Sequence, residues 1–337
     1  MSESTSSEAM VPQTQMGKSG LEVSSLVLGC MGFGEPQRGN HPWSLDLDGS
    51  RELFRRALDL GITTFDTANV YSAGSSEEIV GQLVLEFCSR EDVVIATKVY
   101  GRMRPGPHGA GLSRASILKE VDDSLRRLGT DYIDLYQIHR FDRNVPVEET
   151  MTALHDVVKA GKVRYIGASS MYAWEFAKMQ HFADLSGLTK FVAMQDQYNL
   201  IAREHEREMH PLCLDQGVGV IPWSPLARGK LTRPWEGETT RSQMDQFGKQ
   251  LYRQAEESDR LVVESVAKVA ESRGVSRAQV ALAWVAKQSA ITAPIIGATK
   301  VSHIEDAAQA VNLELTPEEI SSLEQHYVPH SIEDFFF

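Results

Sequence analysis

The sequence predicts a (β/α)8 barrel. Eight short apolar runs recur along it: Leu26–Gly29, Ile62–Phe65, Val93–Thr97, Tyr132–Ile138, Val163–Ala168, Phe191–Gln195, Val218–Pro222 and Pro294–Gly297. They are nearly continuous in apolar residues rather than alternating, which is the pattern of strands buried on both faces. Each is followed by a segment with helical spacing, and strand then helix, eight times over, is the grammar of such a barrel. A doubly wound sheet is the alternative. The 337 residues suit one unit, because α/β barrels routinely exceed the usual domain length.

The elements follow in order. Residues 1–12 open the polar stretch MSESTSSEAMVPQTQ, which has no basic n-region and no apolar h-region, and they read as a disordered tail. Gln13 to Val23, with Gly-Lys-Ser-Gly at 17–20, reads as a hairpin ahead of the first barrel strand. In Ile117–Leu128 the apolar residues Ile117, Leu118, Val121, Leu125 and Leu128 fall at helical spacing, with Ser113 as cap and Gly129 as stop. Thr150–Lys159 repeats the logic through Met151, Leu154, Val157 and Val158, with Gly161 ending it. A long polar insert spans Arg228 to about Asp259, and two helices, roughly 260–273 and 276–288, precede the last strand. The barrel is expected over 13–330, with a short tail at 331–337.

Composition narrows the function. The net charge of −12 argues against a general nucleic-acid surface. No run approaches the ~18 to 20 uncharged apolar residues of a membrane helix. Cys30, Cys88 and Cys213 are odd in number and far apart, which favours a reducing cytoplasm over a disulfide framework. Gly29-Cys-Met-Gly32-Phe-Gly34 is spaced GxxGxG, unlike the dinucleotide fingerprint, and reads as a tight turn. His205 and His210 are five apart, which on a helix sets them ~140° from each other and argues against a shared metal. Asp122-Asp123 and Glu148-Glu149 read as solvated helix residues. No GxSxG elbow is present.

In a barrel of this kind the active site lies at the C-terminal ends of the strands. The second run ends in Asp66, with Tyr71 in its loop; the third ends in Thr97-Lys98; the fourth ends in Ile138-His139. A lysine there points into a crowded mouth and needs an anion, which Asp66 can supply. A free tyrosine has a pKa of about 10, and a neighbouring ammonium favours its phenolate. Asp66 would hold Lys98, His139 would orient a carbonyl oxygen, and Tyr71 would protonate it. Such a device delivers a proton but no electrons. With no flavin or metal motif visible, a bound nicotinamide is the natural hydride source.

Gly61-Ile-Thr-Thr-Phe-Asp66-Thr-Ala-Asn-Val-Tyr71, together with Ala96-Thr-Lys98 and Asp134-Leu-Tyr ahead of Ile138-His139, resembles the aldo-keto reductase superfamily over about residues 13 to 330. The resemblance implies that Asp66, Tyr71, Lys98 and His139 are the catalytic four, with Tyr71 as general acid. It also implies a set of cofactor contacts. Ser169 and Ser170, in Gly167-Ala-Ser-Ser, and Gln195 would hold the nicotinamide carboxamide, with Ser170 in place of the family's Asn. Trp223 would stack on the ring, and Ser224, Pro225, Leu226, Arg228 and Gly229 would form the pyrophosphate loop. Gly297, Thr299 and Lys300 would receive a phosphate at a helix start, where amides and dipole favour one. Lys300 suits the 2′-phosphate of NADP(H). His303 stands where the family often has Arg, and histidine is mostly neutral at pH 7. Asp306 resembles the acid that contacts adenine. Leu226-Ala-Arg-Gly-Lys-Leu-Thr-Arg-Pro-Trp235 is similar to bacterial aryl-alcohol and sugar-oxidoreductase branches.

Phe33, Trp43, Tyr100, Phe141 and Trp235 suggest an apolar pocket for a small aldehyde or ketone. Arg102, Arg104 and Arg140 lie in the same loops, either to bind an anion or to face solvent. The C-terminal His-Ser-Ile-Glu-Asp-Phe-Phe-Phe would fold over the pocket or serve an oligomer contact. Two rival functions share the barrel: a regulatory subunit that binds NADPH with little turnover, and a phosphosugar isomerase that needs no nicotinamide.

Overall fold

The computed structural model describes residues 10–39, 41–237, 251–252 and 254–332. The expected hairpin is present: β1 (Gln13–Gln15) and β2 (Glu22–Ser24) pair antiparallel. Eight parallel strands follow. They are β3 (Val27–Gly29), β4 (Thr64–Asp66), β5 (Val94–Val99), β6 (Ile133–Ile138), β7 (Val163–Ser169), β8 (Phe191–Gln195), β9 (Gly219–Val220) and β10 (Ile295–Ile296). Each pairs with its neighbour in sequence, and β10 returns beside β3. Thr292 N donates to Val220 O at 2.8 Å and Ile295 N to Pro222 O at 2.9 Å, which brings the two edges of the sheet together. The architecture is the α/β TIM-barrel-like one. A doubly wound sheet would reverse its strand order and keep open edges.

Helices fill the spaces between strands: α1 (Leu47–Asp59), α2 (Ser75–Phe87), α3 (Arg114–Leu128), α4 (Val147–Lys159), α5 (Ala173–Ser186) and α6 (Met209–Gln216), then α7 (Glu256–Arg273), α8 (Arg277–Ala286), α9 (Val301–Ala310) and α10 (Pro317–Glu324). In α3, Ser113 accepts from Ser116 N at the start, and Gly129 closes the helix at φ 64. Ile117, Val121 and Leu128 are buried, each contributing about 1.5–3 kcal/mol by leaving water. Asp123 of this helix is not solvated as expected. It is buried between Lys119 and Arg126, which neutralise it. The first helix after the insert starts at Glu256, earlier than the expected 260. Residues 238–250 and 253 of the insert lie outside the described residues, as do 1–9 and 333–337. Val11, expected in the tail, is buried, and its N–H donates to Leu60 O at 2.8 Å, so packing begins before residue 13.

The barrel interior explains where the site sits. One apolar cluster joins Val27, Ala96, Leu135, Ala193, Ile221, Ala293 and Ile295 to Met16, Leu21 and Val23 of the hairpin, which plugs the barrel floor. Strand side chains alternate with period two. The residues two places further along, Gly29, Lys98, Gln137, Gln195 and Trp223, therefore form the layer above the plug, towards the C-terminal mouth.

One further element departs from expectation. His205 and His210 do not share one helix: a 3-10 turn at Glu204–Glu206 precedes α6. Their rings lie 6.2 Å apart, and His210 Nε2 sits 3.0 Å from Asp196 Oδ2, which also faces His205 at 3.9 Å. Cys30, Cys88 and Cys213 are free thiols. No described helix is long and apolar enough to cross a membrane.

Candidate active site

Asp66 ends β4, Lys98 lies in β5, His139 follows β6, and Tyr71 opens the turn after β4. The structure brings all four together. Lys98 Nζ donates to Asp66 Oδ2 at 2.5 Å, to Thr67 O at 2.8 Å and to the Tyr71 hydroxyl at 3.3 Å. An ammonium has three N–H groups, so this one is fully committed. Lys98 is completely buried and Asp66 nearly so. Burial alone would depress the lysine's pKa, but Asp66 and the Tyr71 oxygen outweigh it and hold Lys98 above the ordinary lysine value. The His139 ring meets Tyr71 edge-on at 5.7 Å. Burial, then the charges of Lys98 and Arg140, push His139 well below the usual histidine range, so it is a neutral imidazole.

Backbone strain concentrates around these groups. Ser72 (φ 44) and Ala73 (φ 51) directly follow Tyr71 in left-handed geometry, a state costing on the order of 1–3 kcal/mol per residue. Ser44 Oγ to Ser72 Oγ at 3.0 Å, Ser75 Oγ donating to Ser72 O at 2.8 Å, and Arg38 donating to Ala73 O at 2.8 Å hold the turn. The same strain marks the segments expected to hold a cofactor: Ser170 (φ 46), Ser224 (φ 54), Ala227 (φ 47) and Arg228 (φ 53). Ser169 and Ser170 are adjacent at 3.4 Å between hydroxyls, and Trp223 Nε1 donates to Ser170 Oγ at 3.2 Å. Asn199 Nδ2 donates to Ser224 O at 3.0 Å. Pro225 is buried; Leu226, Arg228 and Gly229 are half-buried along the same turn. Gly297, Thr299 and Lys300 are exposed at the start of α9, which also carries His303 and Asp306. Thr299 N donates to His303 Nδ1 at 3.4 Å. Desolvation and the Lys300 charge push the His303 pKa below the usual histidine value, with Asp306 opposing them.

Residues 25–328 match the Aldo/keto reductase family. The chain belongs to that family. It is 46% identical over 338 residues to the versiconal hemiacetal acetate reductase of Aspergillus parasiticus, covering 94% of this chain and 97% of that one. It is 43% identical over 352 residues to an aldo-keto reductase of Metarhizium robertsii, with coverage of 97% and 94%. An aldo-keto reductase of Alternaria alternata is 44% identical over 337 residues, with coverage of 93% and 90%. These relatives are fungal, which corrects the bacterial branch suggested by Leu226–Trp235; the superfamily assignment holds.

The mouth of this aldo/keto reductase differs from its sequence-based reading. Phe33 does not line a pocket: it is 1% exposed inside the main core. Phe33 directly follows the 3-10 turn Cys30–Gly32, pairs with Leu45 and sits among the buried residues of the main core. Tyr100 and Phe141 are half-buried, and Phe141 meets Trp174 edge-on at 6.2 Å. Trp174, 58% exposed at the start of α5, carried no functional signal in the sequence. His41 bridges Tyr71 and Trp43, with ring centroids at 6.1 and 5.1 Å. Trp235 takes the Lys230 ammonium over its ring at 3.9 Å. Arg102, Arg104 and Arg140 bind backbone carbonyls of Arg104, Gly106, His108 and His139. Sequence reasoning also missed Gln137, two residues before His139. It donates to Asp66 Oδ1 at 3.1 Å. The only available signal was its place in the period-two alternation of β6.

Proposed function

We propose that this aldo/keto reductase reduces the carbonyl of an aldehyde or ketone with NADPH, reversibly, and that Tyr71 supplies the proton. The observation that carries the proposal is the full commitment of the Lys98 ammonium to Asp66, Thr67 O and the Tyr71 hydroxyl. Because Tyr71 accepts from Lys98, its own O–H proton is left to point elsewhere. A carbonyl oxygen that takes this proton leaves a phenolate beside a buried positive charge, in a setting where water screens little. Neutral His139 donates one N–H to the same oxygen and orients it. The family resemblance and relatives named as reductases support carbonyl reduction.

The residues present fit a nicotinamide cofactor. Left-handed backbone at Ser170, Ser224, Ala227 and Arg228 is the kind of strain kept at ligand clamps. Lys300 is exposed at the N-terminus of the ten-residue α9 and forms no ion pair with another described residue, which leaves it for a phosphate. Ser169, Ser170 and Gln195 would hold the carboxamide, Trp223 the ring, Ser224 to Gly229 the pyrophosphate, and Lys300 with His303 and Asp306 the adenosine end. Bound NADPH supplies the hydride. Three free thiols favour a reducing, cytoplasmic setting.

The test is NADPH consumption against aromatic aldehydes, dicarbonyls and aldoses, with Tyr71→Phe alongside. The variant is expected to keep NADPH binding and lose about 100-fold or more in turnover. Turnover retained in Tyr71→Phe would sink the general-acid role.

A further inference from the structure

Asp66 uses its two oxygens differently. Oδ2 faces Lys98; Oδ1 accepts from Gln195 Nε2 at 2.9 Å and from Gln137 Nε2 at 3.1 Å. A carboxylate only accepts hydrogen bonds, so both amides must turn nitrogen towards it. That fixes their orientation on chemical grounds, where amide flips are otherwise ambiguous. The second hydrogen of Gln195 Nε2 goes to Gln137 Oε1 at 3.2 Å. Gln137 therefore closes a triangle with Asp66 and Gln195. Gln137 is fully buried, and a Cβ at the neighbouring Gly167 would meet its Cγ at 3.1 Å, so a bare glycine leaves room for it. The Oε1 of Gln195 accepts from no described residue, yet it is not among the sealed polar atoms that lack a partner. It opens onto space at the end of β8.

We infer that Gln137 is a positioning residue for the nicotinamide carboxamide and acts through Gln195. The inference rests on the cofactor reading above. With both N–H groups tied, Gln195 presents its oxygen outward in one orientation, ready to accept a carboxamide N–H. Without Gln137 it keeps one tether, leaves a buried N–H unpaired, and spends ordering entropy when the cofactor binds. Gln137 itself touches no cofactor atom in this scheme.

The test is equilibrium binding of oxidised NADP and of its 3-acetylpyridine analogue, which lacks the carboxamide N–H, by tryptophan fluorescence or calorimetry. Gln137→Leu is expected to weaken NADP about fivefold, the scale of one neutral hydrogen bond, and to leave the analogue unchanged. In a Gln195→Leu background the effect of Gln137→Leu should disappear, as coupled positions require. Equal losses for both ligands, or none, would overturn the inference while leaving the cofactor reading intact. Wild-type protein that binds neither would overturn the cofactor reading and the inference with it. Gln137→Met serves as a second variant of similar length. Should both fail to fold, the side-chain amide resonances of wild-type Gln137 decide: they shift with NADP and not with the analogue if the inference holds, and an absence of shift with NADP rejects it.

Discussion

Lys98 and Asp66 meet at 2.5 Å with both side chains shut away from solvent. Such a pair gains little over a well-packed apolar pair, but removing one partner leaves a buried charge alone. The balance that a catalytic device needs and the balance that stability needs thus differ at this spot.

Replacing Lys98 should separate the two. Lys98→Met is expected to lose about 3–5 kcal/mol of stability, because Asp66 is left uncompensated. Adding Asp66→Asn should recover most of that loss, since a neutral amide costs less to bury, while turnover stays absent in both proteins. Urea unfolding midpoints and NADPH turnover read the two effects. A double variant as unstable as the single one would contradict the account.

Lys300→Ala should weaken NADPH by about tenfold or more, the scale of a charged hydrogen bond, and leave NADH nearly unchanged. The difference arises because only the 2′-phosphate would face the ammonium. Equal losses for the two cofactors would remove that role.

His139 makes stability depend on acid. Its folded pKa is lowered well below the ordinary 6.5 by burial, Lys98 and Arg140. Below pH 6.5 the unfolded chain takes up a proton that the folded chain refuses, so stability falls as pH falls, by up to about 1.4 kcal/mol per pH unit until the folded pKa is reached. His139→Asn should flatten this slope. Unfolding midpoints at pH 5 and pH 7 for both proteins would show it, and parallel slopes would argue against it.

His330 runs the other way. Burial opposes its charge, but the Ser331 carbonyl, Glu204 and the Ile201 carbonyl raise its pKa above 6.5; Asp259 adds to them. Its N–H also donates to Glu204 Oε1 at 2.9 Å, and Tyr327 OH donates to the same oxygen. The stabilisation is therefore full below pH 6.5 and is lost as pH rises through the folded value. Hydrogen exchange at the His330 amide should accelerate more than simple base catalysis predicts as pH rises, and His330→Asn should abolish the excess.

Much of the architecture was legible because its signals are local. Each apolar run became a strand near its expected place, although Val218–Pro222 shortened to Gly219–Val220 where Pro222 has no N–H to give. The Ser113 cap and Gly129 stop bounded α3 because capping depends on residues within one turn. Asp66, Tyr71, Lys98 and His139 could be singled out because barrel topology alone gathers strand ends at one mouth.

What the sequence by itself determined is the order of strands and helices and the candidate residues at the strand ends, since those follow from periodicity and chain order. The tertiary structure decided which side chains meet. It buried Phe33, closed the triangle of Asp66, Gln137 and Gln195, and brought His205 and His210 to one face of Asp196. The angle between two histidines depends on the backbone between them, and here that backbone is not one helix. The partners of Gln137 lie 71 and 58 residues away along the chain, and only closure of the barrel brings such distant groups within hydrogen-bonding reach.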